Sequence, residues 1–468
     1  MLAKSLLISS LAAAVAAEDH VLGVYIFHRH GDRTSKSWKP VNLTPLGADE
    51  AFSSGSFFRN RYVQKGAAFQ VAGIQPDTAV LSQLSVTSPK DAVLHNSAMA
   101  FLQGLYPPTA ATAETLANNT KVNAPLQGYQ YIPVDAVEQA ATATKAESNA
   151  WLQGNSGCPK AVSSSNSYLS SDGFNKDVAD SKDFYQSLLP AIQTTFNSGN
   201  ATFKNAYTIF DYLNVAQIHN QTYPGQDLVN KTETLNRLYS LASTHEWNLA
   251  YSETEPVRAI AGAVLAGQAL GALTDLANKK KGATTFNIQF GAYGTFMSFF
   301  GLAQLQKADP KFYGICDYAS SMVLELVAPS ADAKKEDMSV RFLFANGTAA
   351  QNELTQYPLF GKTALSWNDF QAGMNKIAVS DTASWCNACG NPAAQCSANS
   401  TDSSVSASSS SSDSGVSRPV AGVIGALVTL VVILGVQALV MLIGGMRLVK
   451  KSTLVQAQQN SAAAAGKA

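Results

Sequence analysis

Three residues of types that handle phosphate stand together near the start of the chain. Arg29, His30 and Arg33 lie in a basic run, residues 27–34, that directly follows the apolar stretch 21–26. Each arginine can direct two N–H groups at a phosphate, and a neutral imidazole between them can attack phosphorus. The pattern predicts phosphoryl transfer through a phosphohistidine, with His30 as nucleophile and Arg29 and Arg33 binding the phosphate.

The short motif alone leaves a solvated basic turn open as an alternative. Further segments extend the pattern: Leu-Thr-Pro-Leu-Gly at 43–47, Gly-Ser-Phe-Phe-Arg-Asn-Arg-Tyr at 55–62, and Ser-Ala-Met-Ala-Phe-Leu-Gln-Gly-Leu-Tyr-Pro-Pro at 97–108. Weaker similarities follow at 317–320, 325–326 and 340–344. With Arg-His-Gly-x-Arg at 29–33, these segments resemble the histidine acid phosphatase family, the branch that includes phytases and secreted acid phosphatases. The resemblance spans roughly residues 20–390.

The resemblance breaks at two functional positions. Where the family carries a further phosphate-binding arginine, four residues before the Ser-Ala pair, this chain has Val93. The family's proton donor is the Asp of a His-Asp pair, and the segment that best matches its surroundings, 286–302, contains no such pair. The last histidine of the chain is His245. The resemblance therefore implies a nucleophile and a partial phosphate clamp, without the family's acid.

Other polar residues have weaker predicted roles. His95 is a candidate substrate-binding residue in place of the lost arginine, provided that the chain is extended there, because a helix would turn the side chain away. His28 is predicted to pack against or orient the site, and Asp32 to lie at the surface. For four further residues the sequence predicts no place near His30. His219 and His245 are expected in core or surface roles, and Glu246 and Glu325 are conceivable acids.

The elements that must position these residues predict an α/β fold. The apolar run before the basic turn is typical of a strand that delivers side chains to the carboxyl edge of a sheet. Helices are predicted at 44–62, 91–105 and 255–276, and further strands at 285–290, 321–327 and 340–344. A layered α/β core is expected. By resemblance, residues 107–200 form a mostly helical cap inserted over the site.

Composition and targeting patterns predict an exported protein. The 468 residues carry 33 basic and 33 acidic side chains, which gives no support for nucleic-acid binding, and their 46% hydrophobic content suffices for a large core. Residues 1–17 are typical of a signal peptide. Seven Asn-x-Ser/Thr acceptors predict N-glycans: Asn42, Asn118, Asn200, Asn220, Asn230, Asn346 and Asn399.

The C-terminal part predicts a membrane anchor. After the ectodomain, residues 18–398, comes a serine-rich stalk, 399–419, and then an apolar segment, 420–446, long enough to span a bilayer. Basic residues follow at once, so the tail, 447–468, is predicted to be cytoplasmic and the large N-terminal part to lie outside, at the cell surface or on a secretory membrane.

Five cysteines are expected to be partly oxidised: Cys158, Cys316, Cys386, Cys389 and Cys396. A local disulfide in the 386–396 cluster is favoured over zinc, since no histidine lies nearby. Neither metal nor cofactor is predicted. The favoured hypothesis is a membrane-anchored phosphomonoesterase of the acid phosphatase type. The alternative is a catalytically impaired relative that binds a phosphorylated or other anionic ligand.

Overall fold

The computed structural model describes residues 19–137, 157–220, 228, 230–390 and 396. The predicted signal peptide, stalk, membrane segment and tail lie outside these residues. One helical stretch among the described residues, Pro256–Ala277, is long and apolar enough to cross a bilayer, and about two-thirds of its most apolar part is buried in the fold.

The described chain contains ten strands and thirteen α-helices, besides short 3₁₀ and π-helical turns. The strands are β1 His20–Arg29, β2 Leu84–Pro89, β3 Glu114–Thr115, β4 Lys121–Val122, β5 Asp135–Val137, β6 Phe286–Gly291, β7 Ser321–Ala328, β8 Ser339–Ala345, β9 Thr355–Tyr357 and β10 Ala364–Ser366. The helices are α1 Pro45–Phe58, α2 Leu94–Leu105, α3 Pro125–Gly128, α4 Pro159–Tyr168, α5 Asp172–Asp180, α6 Lys182–Ser187, α7 Leu189–Ile192, α8 Ala206–His219, α9 Lys231–Ala250, α10 Ile260–Ala277, α11 Tyr293–Leu302, α12 Trp367–Asn375 and α13 Thr382–Cys389. The predicted helices and strands are confirmed.

A mixed sheet in the order β10-β8-β7-β1-β6-β2-β5 forms the centre of the molecule. Strands β1, β6, β2 and β5 run parallel, whereas β7 is antiparallel to β1 and continues into antiparallel β8 and β10. The predicted α/β class is confirmed. Because β1 lies centrally between β6 and β7, its carboxyl end is enclosed by two neighbouring strand ends.

Alternating side chains of β1 explain the layers on both faces of the sheet. Val24 and Ile26 pack into a core shared with α1 and α2, whereas Tyr25 and Phe27 pack into a core shared with α10 and α11. This alternation is the period-two pattern of a strand that is buried on both sides. α1 starts where Thr44 caps it, because the Thr44 side chain accepts from the backbone N–H of Gly47.

The region predicted as a helical cap differs from that prediction at both ends. Its first part contains β3, β4 and β5, and β5 adds to the edge of the main sheet beside β2. The helical part starts with α4 and continues through α9, well past residue 200, around its own apolar core. An extended segment can satisfy its backbone groups on an open strand edge, and composition does not reveal this choice. We call α4–α9 the helical region.

The structure contains two disulfides. The local disulfide predicted in the 386–396 cluster is confirmed as Cys386–Cys396, whereas Cys158, directly before α4, is bonded to Cys389 at the end of α13, a pairing that the sequence left open. Cys316 is a buried free thiol.

Candidate active site

The predicted nucleophile lies at the carboxyl end of β1, at the start of a loop. We call residues 29–36 the basic turn. His30 is 3% exposed, and its Nδ1 lies 2.7 Å from the carbonyl oxygen of Gly31. A carbonyl oxygen only accepts, so Nδ1 carries the proton and the lone pair of the neutral ring is on Nε2. The basic turn touches α1 closely, since a Cβ on Gly31 would lie 2.0 Å from the carbonyl oxygen of Gly47.

The surroundings of His30 keep its ring neutral. Burial, the main cause, together with the charges of Arg29 and Arg33, lowers the pKa of His30 well below its ordinary value. Lys36 acts in the same direction. A neutral imidazole retains its lone pair in acidic solution, which nucleophilic attack requires.

Arg29 is buried between two aromatic rings. Its guanidinium carbon lies 4.6 Å from the ring centre of Tyr318 and 5.3 Å from that of Tyr293. Nη1 donates to the carbonyl oxygen of Cys316, and Nε is buried with no hydrogen-bond partner among the described residues.

Arg33 is held by two side chains of α8. Its Nη2 donates to Asp211, at 2.7 Å, and to the hydroxyl of Tyr207, at 2.9 Å. Burial opposes the charge of Arg33, but Tyr207, Tyr318 and Asp211 outweigh it and hold the pKa well above the ordinary value. Its Nε, like that of Arg29, is buried and finds no partner within the described part of the chain. Sequence reasoning missed Tyr207 and Asp211, which no motif marks.

Asp32 is not a surface residue as predicted. It is fully buried, and its Oδ2 accepts from the hydroxyl of Thr44 at 2.5 Å and lies 2.6 Å from Nε2 of His219. The backbone N–H of Asp32 donates to Glu50. The chain turns after Gly31 so that the side chain of Asp32 points into the protein. Asp32 is the x of the Arg-His-Gly-x-Arg motif, and the motif does not specify the direction of that side chain.

His28 packs directly beside the basic turn, whereas His95 lies in a helix. His28 is buried between the rings of Phe101 and Phe290, and its Nδ1 bonds the carbonyl oxygen of Arg29. α2 begins at Leu94, so His95 lies in a first helical turn and the extended chain required for its substrate-binding role is not found. Its Nδ1 lies 3.0 Å from the hydroxyl of Ser88.

In the segment expected to carry the proton donor, residues 286–302, the structure places Tyr293 at the start of a helix. β6 and α11 occupy this segment, and α11 begins with Tyr293. The hydroxyl of Tyr293 donates to Glu246, and its ring lies 4.8 Å from that of Tyr207. Glu246 in turn bonds His245. Of the two glutamates considered as acids, only Glu246 is thus connected to the residues around Arg29.

Glu325 has a structural role on β7, beside the middle of β1. It is opposite Val24 in the sheet, fully buried, and accepts hydrogen bonds from Arg61, Tyr62 and Arg341.

Two further residues complete the site. The amine of Lys36 lies 5.2 Å from the ring centre of Tyr207 and 5.7 Å from that of Tyr293. The hydroxyl of Ser97, on α2, accepts from the backbone N–H of Gly31. Among the residues that the structure describes, no group of His, Cys, Asp and Glu side chains could hold a metal ion. The arrangement is a neutral imidazole surrounded by cations, suited to attack on an anionic phosphorus centre.

Comparisons with known proteins show the family and the fold. The chain matches the profile of the histidine phosphatase superfamily (branch 2) over residues 6–345. Phytase from Citrobacter braakii superimposes with a TM-score of 0.53 at 13% identity, covering 79% of this chain and 99% of that one. Hafnia alvei phytase with tartrate gives 0.52 at 12% identity, covering 80% and 99%. Klebsiella sp. ASR1 phytase gives 0.52 at 13% identity, covering 79% and 96%. No curated protein sequence matches significantly.

Proposed function

Because the chain belongs to branch 2 of the histidine phosphatase superfamily, we propose that it hydrolyses phosphate monoesters through a phosphohistidine at His30. The proposal concerns a general phosphomonoesterase. Phytases share the fold at low identity, and that likeness does not select a substrate.

One observation carries the proposal. Arg29 and Arg33 are the two guanidinium groups whose charges act most on His30; the Nε–H groups of both are buried, and neither has a hydrogen-bond partner in the described residues. A buried donor without a partner costs about 1–3 kcal/mol. Phosphate oxygens would satisfy both donors and would place phosphorus close to the imidazole.

The reaction follows from these groups. Nε2 of His30 attacks phosphorus, a P–N bond forms, and the bond between phosphorus and the ester oxygen breaks. The guanidinium groups stabilise the negative charge on the phosphoryl oxygens as this occurs. The departing oxygen takes a proton or leaves as an anion. Water then attacks the phosphohistidine, releases inorganic phosphate and restores the neutral imidazole.

A second candidate function is binding without efficient turnover. Tyr293 occupies the start of α11, where the family's His-Asp pair was expected. Loss of the proton donor weakens catalysis more than it weakens recognition of an anion. The same protein would then bind a phosphorylated or other anionic ligand.

We extend the proposal to location: a secretory or cell-surface protein anchored by residues 420–446. In support, five of the six predicted glycan acceptors that lie within the described residues are exposed, namely Asn42, Asn118, Asn200, Asn220 and Asn230; Asn399 lies outside those residues.

The direct test uses full-length protein in mild detergent. We expect release of phosphate from p-nitrophenyl phosphate between pH 4 and 7, and an acid-labile phosphate on His30 after rapid quenching. His30→Ala should abolish both. His20→Ala is the matched control, because His20 lies at the exposed start of the same strand. Activity that survives His30→Ala would exclude the mechanism, whereas phosphate binding without turnover would select the second candidate.

A further inference from the structure

One buried carboxylate on α8 holds the second half of the basic turn. Asp211 is 3% exposed and accepts three hydrogen bonds: from Nη2 of Arg33 at 2.7 Å, from the hydroxyl of Ser35 at 3.0 Å, and from the backbone N–H of Lys36 at 2.8 Å. Charge-assisted hydrogen bonds of this kind are among the stronger ones in proteins. They fix the direction of a side chain and of the backbone at once.

Other residues of α8 extend this contact. Tyr207 bonds Arg33, and His219 bonds Asp32. The first half of the basic turn is held differently, by the loop before β7. There the backbone N–H of Arg29 donates to Ser320, and the carbonyl oxygen of His30 accepts from Ala319. The nucleophile is therefore positioned from the sheet, and the Arg33 clamp from the helical region.

We infer that Asp211 is a positioning residue that orients Arg33 and the 35–36 backbone for phosphate binding. The inference rests on the proposed function, since it concerns how the same turn binds phosphate. A shift of about 1 Å in a group that contacts substrate can reduce the rate by about 10²-fold. Because Asp211 accepts three hydrogen bonds from the basic turn, its loss would also displace Arg33.

Charge alone predicts the opposite effect, and this makes the inference testable. Asp211 is an anion beside the phosphate clamp, so its removal would leave Arg33 without a counter-ion. If charge were all that mattered, Asp211→Asn would bind inorganic phosphate more tightly. If Asp211 positions the clamp, the same variant binds phosphate more weakly.

The experiment measures inorganic phosphate binding to the full-length protein in two ways. One is competitive inhibition of p-nitrophenyl phosphate hydrolysis, and the other is the phosphate-induced increase in Tm, which requires no turnover. We expect Asp211→Asn to weaken phosphate binding and to lower kcat/KM by about tenfold or more. Unchanged or tighter binding would overturn the inference.

A second variant covers a failure to fold. Ser35→Ala removes one of the three bonds and leaves the Arg33 ion pair intact. We expect phosphate binding to weaken by about threefold or more, a smaller loss than in Asp211→Asn because two of the three bonds remain. If Asp211→Asn does not fold and Ser35→Ala binds phosphate with wild-type affinity, the inference is likewise overturned.

The matched control is Glu325→Gln. Glu325 is also a buried carboxylate, with Arg61 and Arg341 as its partners, but it lies opposite Val24 in the middle of β1 and does not contact the basic turn. It should lower Tm and leave the phosphate affinity of the folded protein unchanged. If Glu325→Gln loses as much phosphate affinity as Asp211→Asn, the loss in Asp211→Asn is due to general destabilisation and the inference is overturned. If wild-type protein is stabilised by phosphate but releases none, the proposed function fails and the Asp211 comparison still applies.

Discussion

At the scale of single residues, leaving-group chemistry distinguishes this site from a complete acid phosphatase site. Attack by His30 on an alkyl phosphate expels an alkoxide, which leaves poorly unless an acid protonates it. General acid catalysis usually contributes about 10²–10⁴ in rate. Tyr293, at the start of α11, already donates its hydroxyl proton to Glu246, and burial, the main cause, with Glu246 next, raises its pKa well above the ordinary value. Tyr293 is therefore a poor acid.

The resulting prediction compares two substrates. Nitrophenyl phosphate should be hydrolysed with a kcat/KM at least about 10²-fold above that of glycerol phosphate, because a phenolate departs without protonation. The measurement is kcat/KM for both substrates at one pH. Similar values would indicate an efficient acid, and Glu246→Gln would then be the first substitution to test.

His28 links the site to stability in acid. Burial lowers the pKa of His28 to about 4, although its hydrogen bond to the carbonyl oxygen of Arg29 opposes the shift. Between about pH 6.5 and pH 4 the unfolded chain binds a proton that the folded chain does not. The free energy of unfolding therefore falls as the pH falls through this window, by up to about 3 kcal/mol from this residue.

We predict that His28→Gln reduces this pH dependence. Urea unfolding at pH 7 and pH 4.5 would measure it, with His20→Gln as the exposed control on the same strand. An identical loss of stability on acidification in the two variants would assign the acid sensitivity to other groups.

At the scale of elements, the disulfides differ in what they connect. Cys158–Cys389 ties the start of α4 to the end of α13 over 231 residues, whereas Cys386–Cys396 closes a loop of 10. A longer loop loses more conformational entropy when it is closed in the unfolded chain. The bridge to the helical region should therefore stabilise the fold more.

We expect the double substitution C158S/C389S to lower the free energy of unfolding by about 3 kcal/mol more than C386S/C396S, from the chain-entropy relation. Denaturant unfolding of both variants tests this. Equal losses of stability in C158S/C389S and C386S/C396S would contradict the entropic account.

Burial raises the pKa of the Cys316 thiol to about 12, so this free cysteine should resist alkylation until the protein unfolds.

At the scale of the whole molecule, the proposed anchor predicts a specific topology. Protease added to intact cells should cut the serine-rich stalk, residues 399–419, and release a glycosylated fragment that retains the phosphatase activity. Gel mobility before and after glycosidase treatment would show the glycans. Release of full-length protein by high salt or alkali would show that residues 420–446 do not span a membrane.

The sequence by itself determined the elements and the motif. β1 is recognisable because it is apolar, β-branched and followed by a turn, and the position of His30 after it follows from local order in the chain. The helices α1, α2 and α10 are equally local, since their apolar periodicity depends on neighbours within a few residues. The family was also accessible, because its motifs are short and contiguous.

Only the tertiary structure decided what surrounds the motif. Asp211 is 178 residues from Arg33 and Cys389 is 231 residues from Cys158, and no local pattern relates such pairs. The burial of Asp32 depends on the path of the chain after Gly31. Long-range contacts decide which polar groups are paired. In this protein they bury the side chains of a recognisable Arg-His-Gly-x-Arg motif and hold its second arginine by a helix far away in the sequence.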